Sequence, residues 1–253
     1  MKKLILHIPH SSVNIPILDG YIQDADKIQN ELIKLTDWYT DELFYSSTDI
    51  MVKATFSRVF CDVERFENDQ DEIMSKVGMG VLYESCDDGS LLRKVCSDLR
   101  SRIITDFYWK HHSALLEEVD KQLINDESCL IVDCHSYPSK PLIRDLDQTT
   151  ERPDFNIGID KYHTPQKLID ASIEYFEQRD YSIGVDWPYK GTIVPLTHYQ
   201  KNKKVKSIML EVNRKLYLNE PSNDKSEKYN ETKKVIGEFI EMIKNEINII
   251  LRK

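Results

Sequence analysis

The stretch CLIVDCHSYPS, residues 129–139, decides the fold class of this chain. An apolar run opens it and leads into Asp133 and His135, and Pro138 stops the pattern. A short apolar run that a turn residue closes is typical of a strand buried on both faces, as in a parallel sheet. The stretch therefore predicts a central strand that carries an acid and an imidazole near its end.

Segments with strand and helix patterns alternate on both sides of this central strand. Short apolar or β-branched runs predict further strands at residues 2–8, once or twice within 49–66, and at 181–185 and 206–213. Helical spacing predicts helices at residues 25–46, at 90–124 with a bend, at 164–180, and at 235–253 with a stripe of Ile236, Ile240, Ile243 and Ile247. The alternation predicts one α/β domain over residues 1–253, with a mixed, mostly parallel twisted sheet and helices on both faces.

The composition excludes several classes of protein. The net charge is −9, from 34 basic and 43 acidic residues, whereas a nucleic-acid binder would be basic. No apolar segment approaches the length of a membrane span or forms a signal sequence, so we expect a cytoplasmic protein with no membrane partner. The five cysteines form no CxxC pair, which argues against a disulfide framework or a structural zinc knuckle.

Functional side chains of an α/β sheet lie at the carboxyl ends of its strands. Three candidates occupy such positions: His10 after the first strand, His135 in the central strand, and Glu211 in the strand at 206–213. A carboxylate in so apolar a run is costly unless it is paired or lies near a metal ion. Asp133 shares the face of His135 and can orient an imidazole. No GxxxxGKS/T, GxGxxG, GxSxG or HExxH motif supports another chemistry.

Each of these candidates also has an ordinary structural interpretation. His10 is then a surface-loop histidine, His135 a hydrogen-bonded core residue, and Glu211 a solvated residue of an edge strand. Asp37 fits the first turn of a helix, where an acid is favourable against the helix dipole. The residues alone leave both interpretations open.

Two arginines and three further histidines complete the set of candidate site residues. Arg58 and Arg65 suit the binding of carboxylates, but they also suit ion pairs with Asp62 or Glu64. We expect the histidines at 7, 111 and 112 to differ in environment. His7 is structural and faces away from His10. His111 is solvated, and His112 points inward in phase with Tyr108.

Nine segments in order resemble the N-formylglutamate amidohydrolase family. They are HIPHSS (7–12), TDWYTDELF (36–44), SRVFCDVERF (57–66), GMGVLYE (78–84), YWKHH (108–112), DCHSYPS (133–139), PDFNIGID (153–160), DWPYKGTIVP (186–195) and LEVNRKLYLNE (210–220). Each segment alone is weak, and their common order makes the resemblance specific. The sequence departs from the family pattern at Ser12, where glycine is usual, and at Glu64, where asparagine is common.

The resemblance implies a fold like that of zinc carboxypeptidases and aspartoacylase-type deacylases, in the phosphorylase/hydrolase-like class. It also implies one metal ion, zinc or another divalent ion, and a small N-acyl amino acid as substrate. The expected reaction converts N-formyl-L-glutamate to formate and L-glutamate, within amino-acid metabolism and histidine degradation. Alternatives are another N-acyl deacylase, a zinc peptidase, or a non-catalytic ligand-binding protein.

The resemblance also assigns roles to single residues. The implied metal ligands are His10, Asp37 and His135, with Asp41 or Asp133 as alternatives for the carboxylate. Glu211 is the implied general base. The residues implied to act with it or to bind the substrate are His112, Arg58, Arg65, Lys190 and Asn156.

Overall fold

The strands of the chain form one six-stranded sheet and a small ribbon. The structure, a computed structural model, describes residues 3–250, with side chains to residue 246. The sheet strands are β1 Ile5–Ile8, β2 Ile50–Lys53, β3 Cys129–Tyr137, β4 Phe155–Gly158, β5 Ile183–Val185 and β6 Val205–Asn213. Their order is β2-β1-β3-β6-β4-β5, and every neighbouring pair is parallel except β4 with β6. The ribbon pairs β7 Leu218–Asn219 with β8 Asp224–Lys225.

Helices cover both faces of this sheet. The α-helices are α1 Ala25–Leu35, α2 Thr40–Leu43, α3 Ser97–Ile103, α4 Trp109–Asp126, α5 Gln166–Glu177 and α6 Tyr229–Ile250. A π-helical turn, Ile104–Tyr108, joins α3 to α4, and 3₁₀ turns lie at Ile73–Val77 and Arg214–Leu216. None of the helices in the described part of the chain combines the length and apolarity that a bilayer crossing requires. The predicted fold class is confirmed.

The alternation of side chains along β3 and β6 separates the two faces. Residues at even positions, such as Val132 and Leu210, pack with α5 and α6 in the largest core cluster. Residues at odd positions, such as Ile131, pack against Leu115 and Val119 of α4. Each fully buried aliphatic side chain contributes about 1.5–3 kcal/mol. The period of two puts the odd positions 133, 135 and 211 on the α4 face, where the site lies.

The helix predicted at 25–46 is interrupted. Its backbone is extended at Thr36, which ends α1, and left-handed at Tyr39 with φ of 61° before α2. Between them, the Asp37 amide donates to the carbonyl of His10 at 3.0 Å. The apolar positions continue at helical spacing across the break, so the pattern gave no sign of it. The prediction of one continuous helix is wrong because contacts with a distant loop redirect the chain.

Three other boundaries also differ from the prediction. Only Ile50–Lys53 of residues 49–66 is a strand, because the apolar residues that follow it pack in a separate core cluster with α3 instead of pairing. The helix predicted from residue 90 begins at Ser97, and its bend is the π-helical turn. Strand β4 was not predicted, because its four residues show too short a pattern. Ile236, Ile240 and Ile243 of the closing stripe are buried, whereas the Ile247 side chain and residues 251–253 lie outside the described residues.

Candidate active site

Three neighbouring parallel strands end at the same edge of the sheet and form the floor of a cavity. His10 follows β1 by two residues, and His135 of β3 lies directly opposite Glu211 of β6 in the strand register. The cavity has a volume of about 830 Å³. Of the residues with a predicted role, those that line it are His10, Asp37, Arg58, Arg65, His135, Lys190 and Glu211.

His10, Asp37 and His135 form a buried cluster of possible metal ligands. One ligand atom of each lies within 4.8 Å of the others. Asp37 Oδ2 is 3.1 Å from His135 Nδ1 and 3.6 Å from His10 Nδ1. The two imidazole centroids are 5.0 Å apart, and His10 Nδ1 is buried without a hydrogen-bond partner. These groups are close enough to hold a metal ion.

The remaining polar atom of each of these three side chains is held by a partner outside the cluster. The contacts are His10 Nε2 to Asp62 Oδ1 at 2.8 Å, His135 Nε2 to Asp133 Oδ1 at 3.0 Å, and Arg214 Nη2 to Asp37 Oδ1 at 3.2 Å. Carboxylates that accept from the far nitrogen of an imidazole fix its orientation, as they do around bound metals. The three inner atoms are therefore turned toward one point.

Arg214 ties this cluster to the interrupted helix. It follows β6 directly, and its guanidinium is buried. It donates to the Lys34 carbonyl at 2.7 Å and to Asp37 at 3.2 Å. One residue thereby holds both the end of α1 and the carboxylate that follows it. Sequence reasoning missed Arg214, and its only signal was its place inside the segment LEVNRKLYLNE.

The charges of the cluster oppose the cost of burying it. Burial disfavours ionisation of Asp37, but the nearby imidazoles of His10 and His135 outweigh it and hold the pKa of Asp37 below its usual range. The pKa of Asp133 is lowered in the same way, against burial, by His135 and His7. Burial raises the pKa of Glu211 to about 8, with a partial offset from His135. Glu211 Oε2 has no hydrogen-bond partner, so this carboxyl is available for a proton.

Arg58 and Arg65 lie beside the cluster through a shared partner. Arg58 Nη2 donates to Asp62 Oδ2 at 3.0 Å, and Arg58 Nε donates to the Tyr83 hydroxyl. Arg65 Nε is 3.7 Å from Asp62 Oδ2 and has no hydrogen-bond partner. The alternative of an ion pair with Asp62 is therefore present for both arginines, at hydrogen-bond distance only for Arg58. Arg65 Nε makes no hydrogen bond.

The other predicted residues are distributed around the site. Lys190 is exposed at the cavity. Asn156 is buried beneath it and does not appear in the described lining; its amide donates to the Tyr189 carbonyl and accepts from the Trp187 amide, so it holds this loop. Asp41 is at the surface, where Lys53 pairs with it at 2.9 Å.

The histidines of α4 are arranged differently from the prediction. The prediction that His111 is solvated is wrong, because the buried stripe of α4 runs through His111, Leu115 and Val119. The π-helical turn before α4 changes the phase that Tyr108 suggests. His112 packs on the Tyr108 ring, with centroids 4.3 Å apart, and is not among the described residues that line the cavity.

His111 contacts His7 of β1, and a second ligand-like group surrounds this contact. His7 Nε2 is 2.8 Å from His111 Nε2, and His7 Nδ1 is 2.8 Å from Asp133 Oδ1. His7, Glu64 and Asp133 offer atoms within 4.8 Å of one another. Asp133 Oδ2 accepts from the Ile193 amide, so hydrogen bonds already use both oxygens of this carboxylate. As predicted, His7 and His10 belong to different groups.

Comparisons with known proteins agree with the fold. The chain is similar to an N-formylglutamate amidohydrolase from Ralstonia eutropha JMP134 at 20% identity and a TM-score of 0.84, covering 97% of this chain and 94% of that one. It is also similar to a gene product of Agrobacterium tumefaciens at 16% identity and a TM-score of 0.67, covering 98% and 91%. At these identities the likeness shows the fold.

The sequence comparison identifies the family. None of the curated proteins matches this sequence. The family model of N-formylglutamate amidohydrolase matches residues 2–218, which confirms the resemblance carried by the nine segments. The chain belongs to the N-formylglutamate amidohydrolase family.

Proposed function

We propose that this protein hydrolyses the amide of an N-acylated acidic amino acid, and that N-formyl-L-glutamate, which gives formate and L-glutamate, is a substrate. The observation that carries the proposal is the convergence of His10, Asp37 and His135 within 4.8 Å, in the same cavity as Glu211. Membership of an amidohydrolase family supports the same reaction.

The residues present fit a divalent metal ion. His10 Nδ1, Asp37 Oδ2 and His135 Nδ1 would hold it, and the unpartnered, buried His10 nitrogen is the atom that most needs a partner. Two imidazoles and one carboxylate are a donor set that zinc accepts in catalytic sites. Bound zinc would make water more acidic and polarise a carbonyl oxygen.

The charge balance around the cluster is compatible with a divalent ion. Three guanidinium groups face five carboxyl groups there: Arg58, Arg65 and Arg214 against Asp37, Asp62, Glu64, Asp133 and Glu211. If all of them ionise, two negative charges remain. Burial raises the pKa of Glu64 and of Glu211, so protons on these two carboxyls can remove the excess, and a bound divalent cation would compensate it instead and favour both carboxylates.

Glu211 is the residue to which we assign proton transfer. Its carboxyl lies beside His135 in the register and has a free oxygen. Burial raises its pKa to about 8, whereas a cation in the cluster would favour its carboxylate form. The carboxylate takes a proton from the attacking water and passes it to the amide nitrogen as the carbon–nitrogen bond breaks. The products are the free acid and the amino acid.

Arg58 and Arg65 are the residues to which we assign the carboxylates of the substrate. Both arginines line the cavity that holds the cluster, and Arg58 Nη1 lies 3.9 Å from Asp37 Oδ1. A guanidinium binds a carboxylate through two parallel hydrogen bonds. Lys190 adds positive charge at the exposed end of the cavity. A catalytic part for His112 and direct substrate contact by Asn156 stay predictions.

Replacement of the proposed base tests this function. We expect Glu211→Gln to keep its bound metal and to lose at least about 100-fold in kcat on N-formyl-L-glutamate, because only the proton acceptor is removed. Metal content by mass spectrometry and formate release are the two measurements. Glu117→Gln, at an exposed position of α4, is the control. Near wild-type turnover of Glu211→Gln would exclude Glu211 as the base.

A zinc peptidase and a non-catalytic binding protein remain the rival functions. Assays of purified protein with N-acyl amino acids and with peptides that end in glutamate distinguish a zinc peptidase from the proposed amidohydrolase. A purified protein that is free of metal and inactive on all of them would indicate a binding role.

A further inference from the structure

We infer that this site accepts acyl groups that are larger and more apolar than formyl. The inference rests on the proposed function and narrows its substrate class to N-acyl amino acids with a medium-length acyl chain. A cavity of about 830 Å³ lies within the range that holds drug-sized ligands, so N-formyl-L-glutamate leaves most of it unfilled.

The topology divides the cavity into two ends. One end is the arginine end. Arg58 and Arg65 pair with Asp62, Asp62 contacts His10, and His10 follows β1. The other end is formed by residues 138–149 before β4 and residues 186–190 after β5. Strands β3 and β6, which carry His135 and Glu211, separate β1 from β4 in the sheet. A substrate held by its carboxylate at the arginines therefore points its acyl group toward the loops.

These loops present what we call the apolar wall: Leu142, Leu146, Trp187, Pro188 and Tyr189. Leu146 and Trp187 are 69% and 36% exposed, although large apolar side chains gain from burial. Both line the cavity that holds His135 and Glu211. An apolar ligand portion would cover them.

Hydrogen bonds hold two side chains of the apolar wall in place and occupy the polar atom of each. Trp187 Nε1 donates to Asp147 Oδ2 at 2.8 Å, and the Tyr189 hydroxyl donates to Asp145 Oδ2 at 3.0 Å. Leu146 lies between these two anchored aspartates. The wall therefore offers rings and methyl groups to a hydrocarbon chain. Of the polar side chains that the same loops place in the cavity, Gln148 donates to the Leu142 and Asp145 carbonyls and Arg144 Nε to the Asp87 carbonyl, whereas Lys190 is exposed.

Burial of each methylene of an acyl chain against the wall raises affinity roughly fourfold. In the reaction, water adds to the acyl carbon, the carbon–nitrogen bond breaks, and the nitrogen takes the proton from Glu211. The products are a medium-chain carboxylic acid and the amino acid. No further reactant is needed.

A series of substrates tests the inference. We expect kcat/KM to be at least about tenfold higher for N-hexanoyl-L-glutamate than for N-formyl-L-glutamate, with N-acetyl-L-glutamate between them. Leu146→Asp should lower the hexanoyl-to-formyl ratio at least about fivefold, because it puts a charge on the wall. Ile143→Asp is the matched control: Ile143 is 70% exposed in the same loop and is not among the cavity residues, so the ratio should not change.

Binding without turnover gives a second measurement. Titration calorimetry on the Glu211→Gln protein should show an at least about tenfold lower Kd for the hexanoyl than for the formyl compound. Equal or better use of the formyl substrate, with a ratio that Leu146→Asp leaves unchanged, would overturn the inference and leave the proposed function intact. Failure to hydrolyse any of the three compounds would overturn the proposed function, and the calorimetric ratio would then decide the inference by itself.

Discussion

Asp133 is the residue on which the orientation of the cluster depends most. Its Oδ1 accepts hydrogen bonds from His7 and His135, and its Oδ2 accepts from the Ile193 amide. Asp133→Asn keeps the shape and removes the charge. We expect about 10–100-fold weaker zinc binding, because partners of this kind contribute that much to metal affinity. Competition with a chromophoric chelator measures it, and Asp106→Asn, an exposed acid of the π-helical turn, is the control. Unchanged affinity would show that His135 is held without Asp133.

His112 gives a residue-scale prediction that does not involve the metal. Burial lowers its pKa from 6.5 to about 4. The unfolded chain therefore binds a proton at His112 between these two values while the folded protein does not, so stability falls as the pH drops through this window. Burial also lowers the pKa of the neighbouring His111, to about 2, which adds to the same trend.

We expect His112→Gln to flatten this pH dependence. Between about pH 7.5 and about pH 5, the wild type should lose about 2 kcal/mol more of its free energy of unfolding than the variant. Urea unfolding at both pH values measures the difference. Equal losses in the two proteins would mean that His112 titrates normally in the fold.

At the scale of elements, the interruption between α1 and α2 is what brings Asp37 to the cluster. Arg214 holds it by donating to the Lys34 carbonyl and to Asp37. We expect Arg214→Leu to lose about 3–5 kcal/mol of stability, because it leaves a buried carboxylate and a carbonyl without partners. Thermal unfolding measures the loss, and Lys215→Leu, at the exposed neighbouring position, should change little. A loss as small as that of the control would show that the break is stable by itself.

The elements that sequence patterns predicted well are those with long, regular patterns. Strands β3 and β6 carry nine residues each, and their alternation predicted which face holds Glu211. The break at Thr36 could not be predicted, because the groups that stabilise it, on His10 and Arg214, lie in other segments of the chain. The phase of α4 was missed for a local reason, since the π-helical turn before it moves His111 into the core.

The candidate site shows the same limit. Strand ends indicated His10, His135 and Glu211 one by one, whereas the resemblance was needed to join them with Asp37. Asp62 and Arg214 have roles that exist only through tertiary contacts with His10 and Asp37. A single sequence carries no signal for such contacts beyond the placement of charged residues next to strands.

For the whole molecule, the cluster at one edge of the sheet links metal binding to stability. A ligand that binds only the folded state stabilises it, by about 2.7 kcal/mol at 100 times its Kd. In a chain of this length that corresponds to a rise in Tm of about 5–10 °C. We therefore expect chelator-treated protein to unfold at a lower temperature, and added zinc to raise the Tm in a concentration-dependent way.

The histidines of the chain allow this effect to be assigned to the cluster. The double variant His10→Ala, His135→Ala removes two of the three ligands, so zinc should no longer raise its Tm by differential scanning fluorimetry. His198→Ala is the matched control, since His198 pairs with Asp120 away from the cavity and would report only binding at peripheral histidines. A shift that persists in the double variant would place the bound ion elsewhere, with the group of His7, Glu64 and Asp133 as the next site to test. No shift with any divalent ion would show that the cluster is held together by its hydrogen bonds alone.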